Sequence, residues 1–250
     1  NGIRVVFEPL KQYRSIAIGV WIGTGSVLEK DGESGASHFI EHMLFKGTEK
    51  RTASDIAAEM DAIGGNINAF TAKECTCFYA KVLDEHLNQA TDILSDIVMH
   101  SKFDQSDIER EKGVVCEEIL MTEDSPEDVA HESLCSLYYD KDTLAKPILG
   151  TQKSVRAFSR ETLTSYLSRH YGSNNIVISC AGNFRDNSAL IDTLNQYFSS
   201  MPIGEASPTI KNKPASARSF KSIKKDIEQV HICMGLPGYS LDEQNQYPLL

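Results

Sequence analysis

No apolar run in this sequence approaches the roughly 18 residues that a membrane-spanning helix needs, so no transmembrane segment is expected. Positive charge is scarce: 25 Lys and Arg against 35 Asp and Glu leave a net charge of −10. That balance argues against a nucleic-acid surface and leaves room for cationic ligands. No C-x-x-C pair occurs among the six cysteines, Cys75, Cys77, Cys116, Cys135, Cys180 and Cys233. With no export signal in view, they read as reduced, mostly buried thiols of a cytoplasmic protein. Asn1-Gly2-Ile3-Arg4-Val5 reads as the edge of a strand rather than a leader. The chain opens on Asn rather than Met, and its natural start is expected upstream. Its 250 residues, 41% hydrophobic and 24% charged, suffice for one large globular domain or one domain plus part of another.

What the chain does carry is His38-Phe39-Ile40-Glu41-His42. If this stretch is helical, His38, Glu41 and His42 stand at i, i+3 and i+4 and point to one face. Two neutral imidazoles one turn apart can bind a single Zn²⁺, and a carboxylate beside them can take a proton from a metal-bound water. The order H-x-x-E-H inverts the familiar zinc-protease order H-E-x-x-H. Phe39, Ile40, Met43 and Leu44 form the apolar stripe of a helix of about three turns. Ser34 or Ser37 can cap its start and Gly47 can end it. Zinc still requires a third protein ligand, and catalysis an open fourth position.

The order of elements is strands, then helices, then strands, an α+β pattern rather than alternating βαβ. Ile3 to Glu8 and Ser15 to Ile22 read as strands, and Asn66 to Phe70 with Cys75 to Val82 as a hairpin. Helices are expected over Ser54 to Ile63, Asp84 to His100, Asp104 to Thr122 and Pro126 to Tyr139. Shorter helices follow near Ser154 to Phe158 and Arg160 to His170, then a strand from Asn175 to Ala181 and a helix from Asn187 to Phe198. Residues 1–205 form one domain in this reading, 206–216 a Pro/Gly/Ser-rich linker, and 217–250 the incomplete start of a second, related α+β domain. The latter opens with strands at Ser219 to Lys225 and Gln229 to Gly235, which suggests a fragment of a longer protein.

Candidates for the third ligand are Glu111, Glu117 and Glu118 on the Asp104 helix. Glu111 and Glu118 share a face, seven residues apart, while Glu117 is turned about 100° away. An inward carboxylate there needs a cation or a hydrogen-bond partner; the alternative is a solvated charged helix face.

The run from Ser34 to Thr48, SGASHFIEHMLFKGT, resembles the signature of the pitrilysin/insulinase metallopeptidases, most of all the branch holding the mitochondrial processing peptidase β subunit and its bacterial relatives. The likeness extends to Gly64 to Thr76, to Glu109-Arg110-Glu111, to Val114 to Ile119 and to Lys146 to Thr151, in family order. The resemblance implies a mixed or antiparallel sheet with helices packed on it, one half of a two-domain clam-shell peptidase. His38, His42 and Glu118 would be the zinc ligands, Glu41 the general base, and Glu111 a second acidic residue of the site. Asn68, Ala69 and Phe70 would lie on the edge strand that takes an extended substrate peptide as an added β-strand. A second half-domain or a homodimer partner would complete the chamber.

The likeness is partial. The arginine and tyrosine that the family's second half contributes to catalysis have no counterpart here, and position 117 carries Glu where the processing peptidases often have Arg. A non-catalytic scaffold subunit and a structural zinc site are the competing readings. Against the second, an open coordination position and an adjacent Glu41 are unlike a closed, Cys-rich structural site. If the acidic stretch Glu117, Glu118, Glu123, Asp124, Glu127, Asp128 and Glu132 faces the substrate, peptides with Arg near the scissile bond are cut faster. Equal kcat/KM for peptides with and without that Arg would dismiss the idea.

Overall fold

Alternation of β-branched residues makes Ser15–Ile22 the centre of a sheet. Ile16, Ile18, Val20 and Ile22 are buried on one face, while Trp21 is 37% exposed on the other. The computed structural model describes residues 1–140, 142–205 and 219–239. Among them five strands form one mixed sheet: β1 (Arg4–Pro9), β2 (Ser15–Ile22), β3 (Asn66–Thr71), β4 (Thr76–Leu83) and β5 (Ile176–Gly182). Their order is β1-β5-β2-β4-β3. Only the β1–β5 pair is parallel; β2 joins β5 and β4 antiparallel, and β3 closes the sheet as a free edge beside β4.

Helices cover the face presented by Ile18, Phe78, Ala80 and Ile178, and burying each large side chain there contributes about 1.5–3 kcal/mol. In chain order the α-helices are α1 (Ala36–Leu44), α2 (Ala53–Ala62), α3 (Leu87–His100), α4 (Gln105–Asp124), α5 (Pro126–Tyr139), α6 (Gln152–Ala157), α7 (Arg160–His170) and α8 (Asn187–Phe198). Local capping explains several starts. Thr52 and Asp55 form a capping box on α2, Ser125 caps α5 with Pro126 at its first position, and Asp186 accepts the Ala189 N–H at α8. The loop between α1 and α2 is fastened to α3. Arg51 reaches Glu59, Asp92 and the buried Asp96, and Thr48 Oγ1 donates to Asp96 Oδ2 at 2.7 Å.

Helix α1 starts differently from the expectation of a serine cap. Its N-cap is Gly35, in the left-handed region at φ 90°, and neither Ser34 nor Ser37 caps it. The cap comes from the buried Glu29: Gly35 N donates to Oε2 at 2.8 Å and Ser37 N to Oε1 at 2.9 Å. The Ser37 hydroxyl instead meets the buried Tyr166 hydroxyl of α7 at 2.8 Å. The carboxylate thus does what a Ser cap would do, satisfying two of the amides a helix start leaves open, from outside the motif. At the other end the helix closes, before Gly47, at Phe45, whose N–H bonds the His42 carbonyl. The loop at Leu149-Gly150 lies backbone to backbone on this start. A Cβ at Gly35 would come within 2.5 Å of the Leu149 carbonyl oxygen, and one at Gly150, itself at φ 73°, would collide with the Ser34 carbonyl oxygen.

The expected strands at Ser219 to Lys225 and Gln229 to Gly235 are not strands. Residues 219–239 are irregular and exposed, with Val230, Ile232 and Met234 each about four-fifths exposed. Their period-2 pattern suits a strand, but a strand needs a partner for its backbone groups, and among the described residues no strand pairs with this segment. The segment touches α4 and α5: Lys225 Nζ donates to the Glu123 carbonyl, and Tyr138 Oη donates to the Leu236 carbonyl at 3.2 Å. The expected linker 206–216, and residues 217, 218 and 240–250, lie outside the described residues.

Two outcomes test this account of α1. Gly150→Ala should lose roughly 2 kcal/mol or more, because the added methyl meets both a left-handed backbone and a carbonyl oxygen. A lower urea midpoint at unchanged slope would show it, and a wild-type midpoint would refute it. Burial raises the Glu29 carboxyl to about 7. Between the usual glutamate value of about 4.5 and about 7 the folded protein holds a proton that the unfolded chain has released, so this group's contribution to stability falls as pH rises through that window. From about pH 5 to about pH 8 the wild type should therefore lose more stability than Glu29→Gln; parallel losses would mean Glu29 titrates normally.

Candidate metal centre

Packing decides which way α1 faces. Phe39, Ile40, Met43 and Leu44 are buried at 1% exposure or less, against residues such as Phe158, so His38, Glu41 and His42 turn to the opposite side. There α1 meets α4. Ile108, Val115 and Ile119 are buried in the core, and Glu111 and Glu118 project from the same helix toward the imidazoles. Val114 is 47% exposed, and Glu117 is exposed on the far side.

Three donors converge. Glu118 Oε2 lies 3.6 Å from His38 Nε2 and 3.6 Å from His42 Nε2. The candidate ligand atoms of His38, His42 and Glu118 all fall within 4.8 Å of one another. The two rings sit with centroids 4.6 Å apart. Such spacing suits three donors around one small cation at roughly 2.0–2.2 Å from each. Burial and the neighbouring His42 lower the His38 imidazole to about 4, so its ring is neutral at ordinary pH, with a lone pair free. Its Nδ1 is buried without a hydrogen-bond partner among the described residues. The donor set of two imidazoles and a carboxylate is of the kind zinc takes at an open site, and the Glu118 side chain, 42% exposed, leaves the centre accessible from solvent.

Around these donors lies a supporting shell. His42 Nδ1 faces Glu111 Oε2 at 3.1 Å, and with the imidazole donating from Nδ1 its Nε2 lone pair is left to face Glu118. Glu111 is 2% exposed, and its other oxygen lies 2.8 Å from Lys46 Nζ. Glu41, half-buried, accepts a hydrogen bond from Thr71 Oγ1 at 2.5 Å. Burial raises the Glu41 carboxyl, an effect opposed by Thr71 and His42 and reinforced by Glu118.

Thr71, Lys46 and Glu29 are absent from the set of residues predicted from sequence. Thr71 carried no signal, since the β3 register that brings it beneath Glu41 depends on the whole sheet. Lys46 could have been found: it lies four residues after His42, a spacing that places it over the same helical face.

Asn68, Ala69 and Phe70 lie on β3, the free edge. Phe70 is 40% exposed and packs edge-on to Trp21 at 5.6 Å, while Asn68 Oδ1 accepts the Ala69 N–H at 2.8 Å. Of the acidic stretch, Glu123, Asp124, Glu127 and Asp128 are exposed, and Glu132 lies 3.8 Å from Lys73. No helix among the described residues is long and apolar enough to cross a membrane.

Residues 4–152 match the family model described as insulinase (peptidase family M16), and residues 157–250 that described as peptidase M16 inactive domain. An uncharacterized zinc protease of Bacillus subtilis is 44% identical over 250 residues, covering 100% of this chain and 60% of its own length. One of Mycobacterium leprae is 39% identical over 250 residues, covering 98% and 56%. The crystal structure of a protease from Helicobacter pylori has a TM-score of 0.80 at 23% identity, over 86% of this chain and 52% of that one. That of the periplasmic protease PqqL from Escherichia coli has 0.77 at 22%, over 85% and 24%. The chain spans at most 60% of the length of these curated relatives.

Proposed function

Because the chain belongs to the insulinase (M16) family of peptidases, we propose that it is the zinc-holding half of a metalloendopeptidase that cuts extended or unfolded peptides. The observation that carries this reading is the convergence of His38, His42 and Glu118 on one point, with Glu41 on the same turn of α1. His38 Nε2, His42 Nε2 and the Glu118 carboxylate would hold Zn²⁺. When bound, the ion supplies Lewis acidity toward the scissile carbonyl and brings a coordinated water's pKa toward about 7.

Glu41 is the general base in this reading. Thr71 engages Oε2 and leaves Oε1 to take the proton of the attacking water. Its raised carboxyl pKa suits both receiving that proton and returning it to the departing amine nitrogen. Glu111 orients His42. On β3 the peptide joins as an added strand along Asn68, Ala69 and Phe70, its backbone replacing the Asn68 side chain on the Ala69 N–H. A second half-domain, or a second copy, would close over that edge; the chain's share of its relatives' length fits such a requirement. The six cysteines, unpaired among the described residues, suit a reducing compartment such as the cytoplasm.

The second reading is a non-catalytic scaffold that binds peptide without cutting it, and the match of residues 157–250 to an inactive domain favours it. Glu41→Gln separates the two. Zinc content should stay at the wild-type level while hydrolysis of an unstructured peptide falls roughly 10²- to 10⁴-fold. Equal hydrolysis by both proteins would remove Glu41 from the chemistry, and a zinc-loaded wild type without activity in its full-length form would favour the scaffold.

A further inference from the structure

We propose that Lys46 is a positioning residue of the metal centre, acting through Glu111 on His42; this rests on the zinc reading above. The geometry is a chain of three groups. Lys46 Nζ lies 2.8 Å from Glu111 Oε1, and Glu111 Oε2 lies 3.1 Å from His42 Nδ1. Each carboxylate oxygen thus has its own partner, and the plane of Glu111 is set from both sides. Among the described residues, the ion pairs of Glu111 are to Lys46 and His42 alone.

The reason for a lysine here is electrostatic and geometric. Glu111 is 2% exposed, and a buried carboxylate without a cation is costly. It also shares its neighbourhood with Glu41 and Glu118, so the α1–α4 seam gathers three acidic side chains around two imidazoles. Lys46 is the lysine that enters this seam. It can do so because α1 ends just before it. Phe45 keeps a near-helical backbone at φ −89°, and the Lys46 N–H bonds the Met43 carbonyl at 3.0 Å, so the chain makes one more turn and the side chain falls over the His42 face. Two-thirds buried, its aliphatic stem packs while the ammonium reaches inward.

The consequence runs through orientation. Anchored on one side by Lys46, Glu111 presents its other oxygen to Nδ1 of His42 and holds that ring as the Nδ1–H tautomer. Nε2 then faces Glu118 with its lone pair. Without Lys46 the Glu111 rotamer is free to turn away, and His42 loses the partner that fixes both its tautomer and its ring plane. Partners of this kind behind a ligand histidine are worth about 10- to 100-fold in metal affinity.

The test uses the full chain. Zinc affinity is measured by chelator competition for wild type, Lys46→Met, Lys46→Arg and Lys50→Met, and the His42 ring is followed by ¹⁵N NMR in the metal-free wild type. Lys46→Met should bind zinc about 10- to 100-fold more weakly. Lys46→Arg, which keeps the cation, should stay within a few-fold of wild type, and Lys50→Met, an equal charge loss at an exposed position, should match wild type. The NMR spectrum should show His42 protonated at Nδ1. Wild-type affinity in Lys46→Met, an equal loss in Lys50→Met, or a His42 protonated at Nε2 would overturn the role of Lys46. A wild type that binds no zinc would instead sink the metal reading itself. Should Lys46→Met fail to fold, Lys46→Gln takes its place: weaker zinc binding than wild type is expected, and wild-type affinity would overturn the role of Lys46.

Discussion

The two hydrogen bonds from the Gly35 and Ser37 amides to the buried Glu29 carboxylate fix where α1 begins, and the rest of the site is referred to that start. A helix that began one residue later would rotate by about 100° and carry His38 and His42 into the core, with Phe39 and Ile40 pushed toward solvent. The apolar face supplies the opposing constraint, since four side chains buried at 1% exposure or less hold the rotation from the other side. The loop at Leu149-Gly150 then closes on the capped end so tightly that only glycine fits at either contact. Register, rotation and position of the histidine pair are therefore set by residues that never touch the metal centre.

The second constraint is charge. Glu41, Glu111 and Glu118 surround two imidazoles in a partly buried seam, and the neutral state of His38 means that it contributes no compensating cation. Lys46 answers one carboxylate. The other two face the proposed centre, where carboxylate oxygens and imidazole lone pairs are donors of the kind a divalent cation takes. Stability and function pull in opposite directions here. The arrangement that makes a good metal site is a poor metal-free core, and it is held in place by the helices and sheet around it.

Much of this was readable from the sequence because it depends on local periodicity. The apolar stripe of α1, the seven-residue spacing of Glu111 and Glu118, and the alternation of β2 each follow from the geometry of one element. The bounds expected for α5, α7 and α8 are the observed ones, and Ser125, Ser159 and Asp186 cap their starts. The cap of α1 is not local: a serine at the expected place is the local solution, whereas Glu29 arrives from a preceding turn and Ser37 is claimed by Tyr166 across the interface with α7. Thr71 was invisible for the same reason. Residues 219–239 show the reverse failure: a clear strand pattern with no strand beside it stays irregular, because alternation specifies a face and not a partner.

Central to the account is that one zinc ion sits between His38, His42 and Glu118. X-ray absorption at the zinc edge of the loaded full chain tests that most directly. The account predicts two imidazole nitrogens and oxygen donors at about 2.0–2.2 Å, with no sulfur. A sulfur shell near 2.3 Å, or a spectrum lacking imidazole scattering, would contradict it.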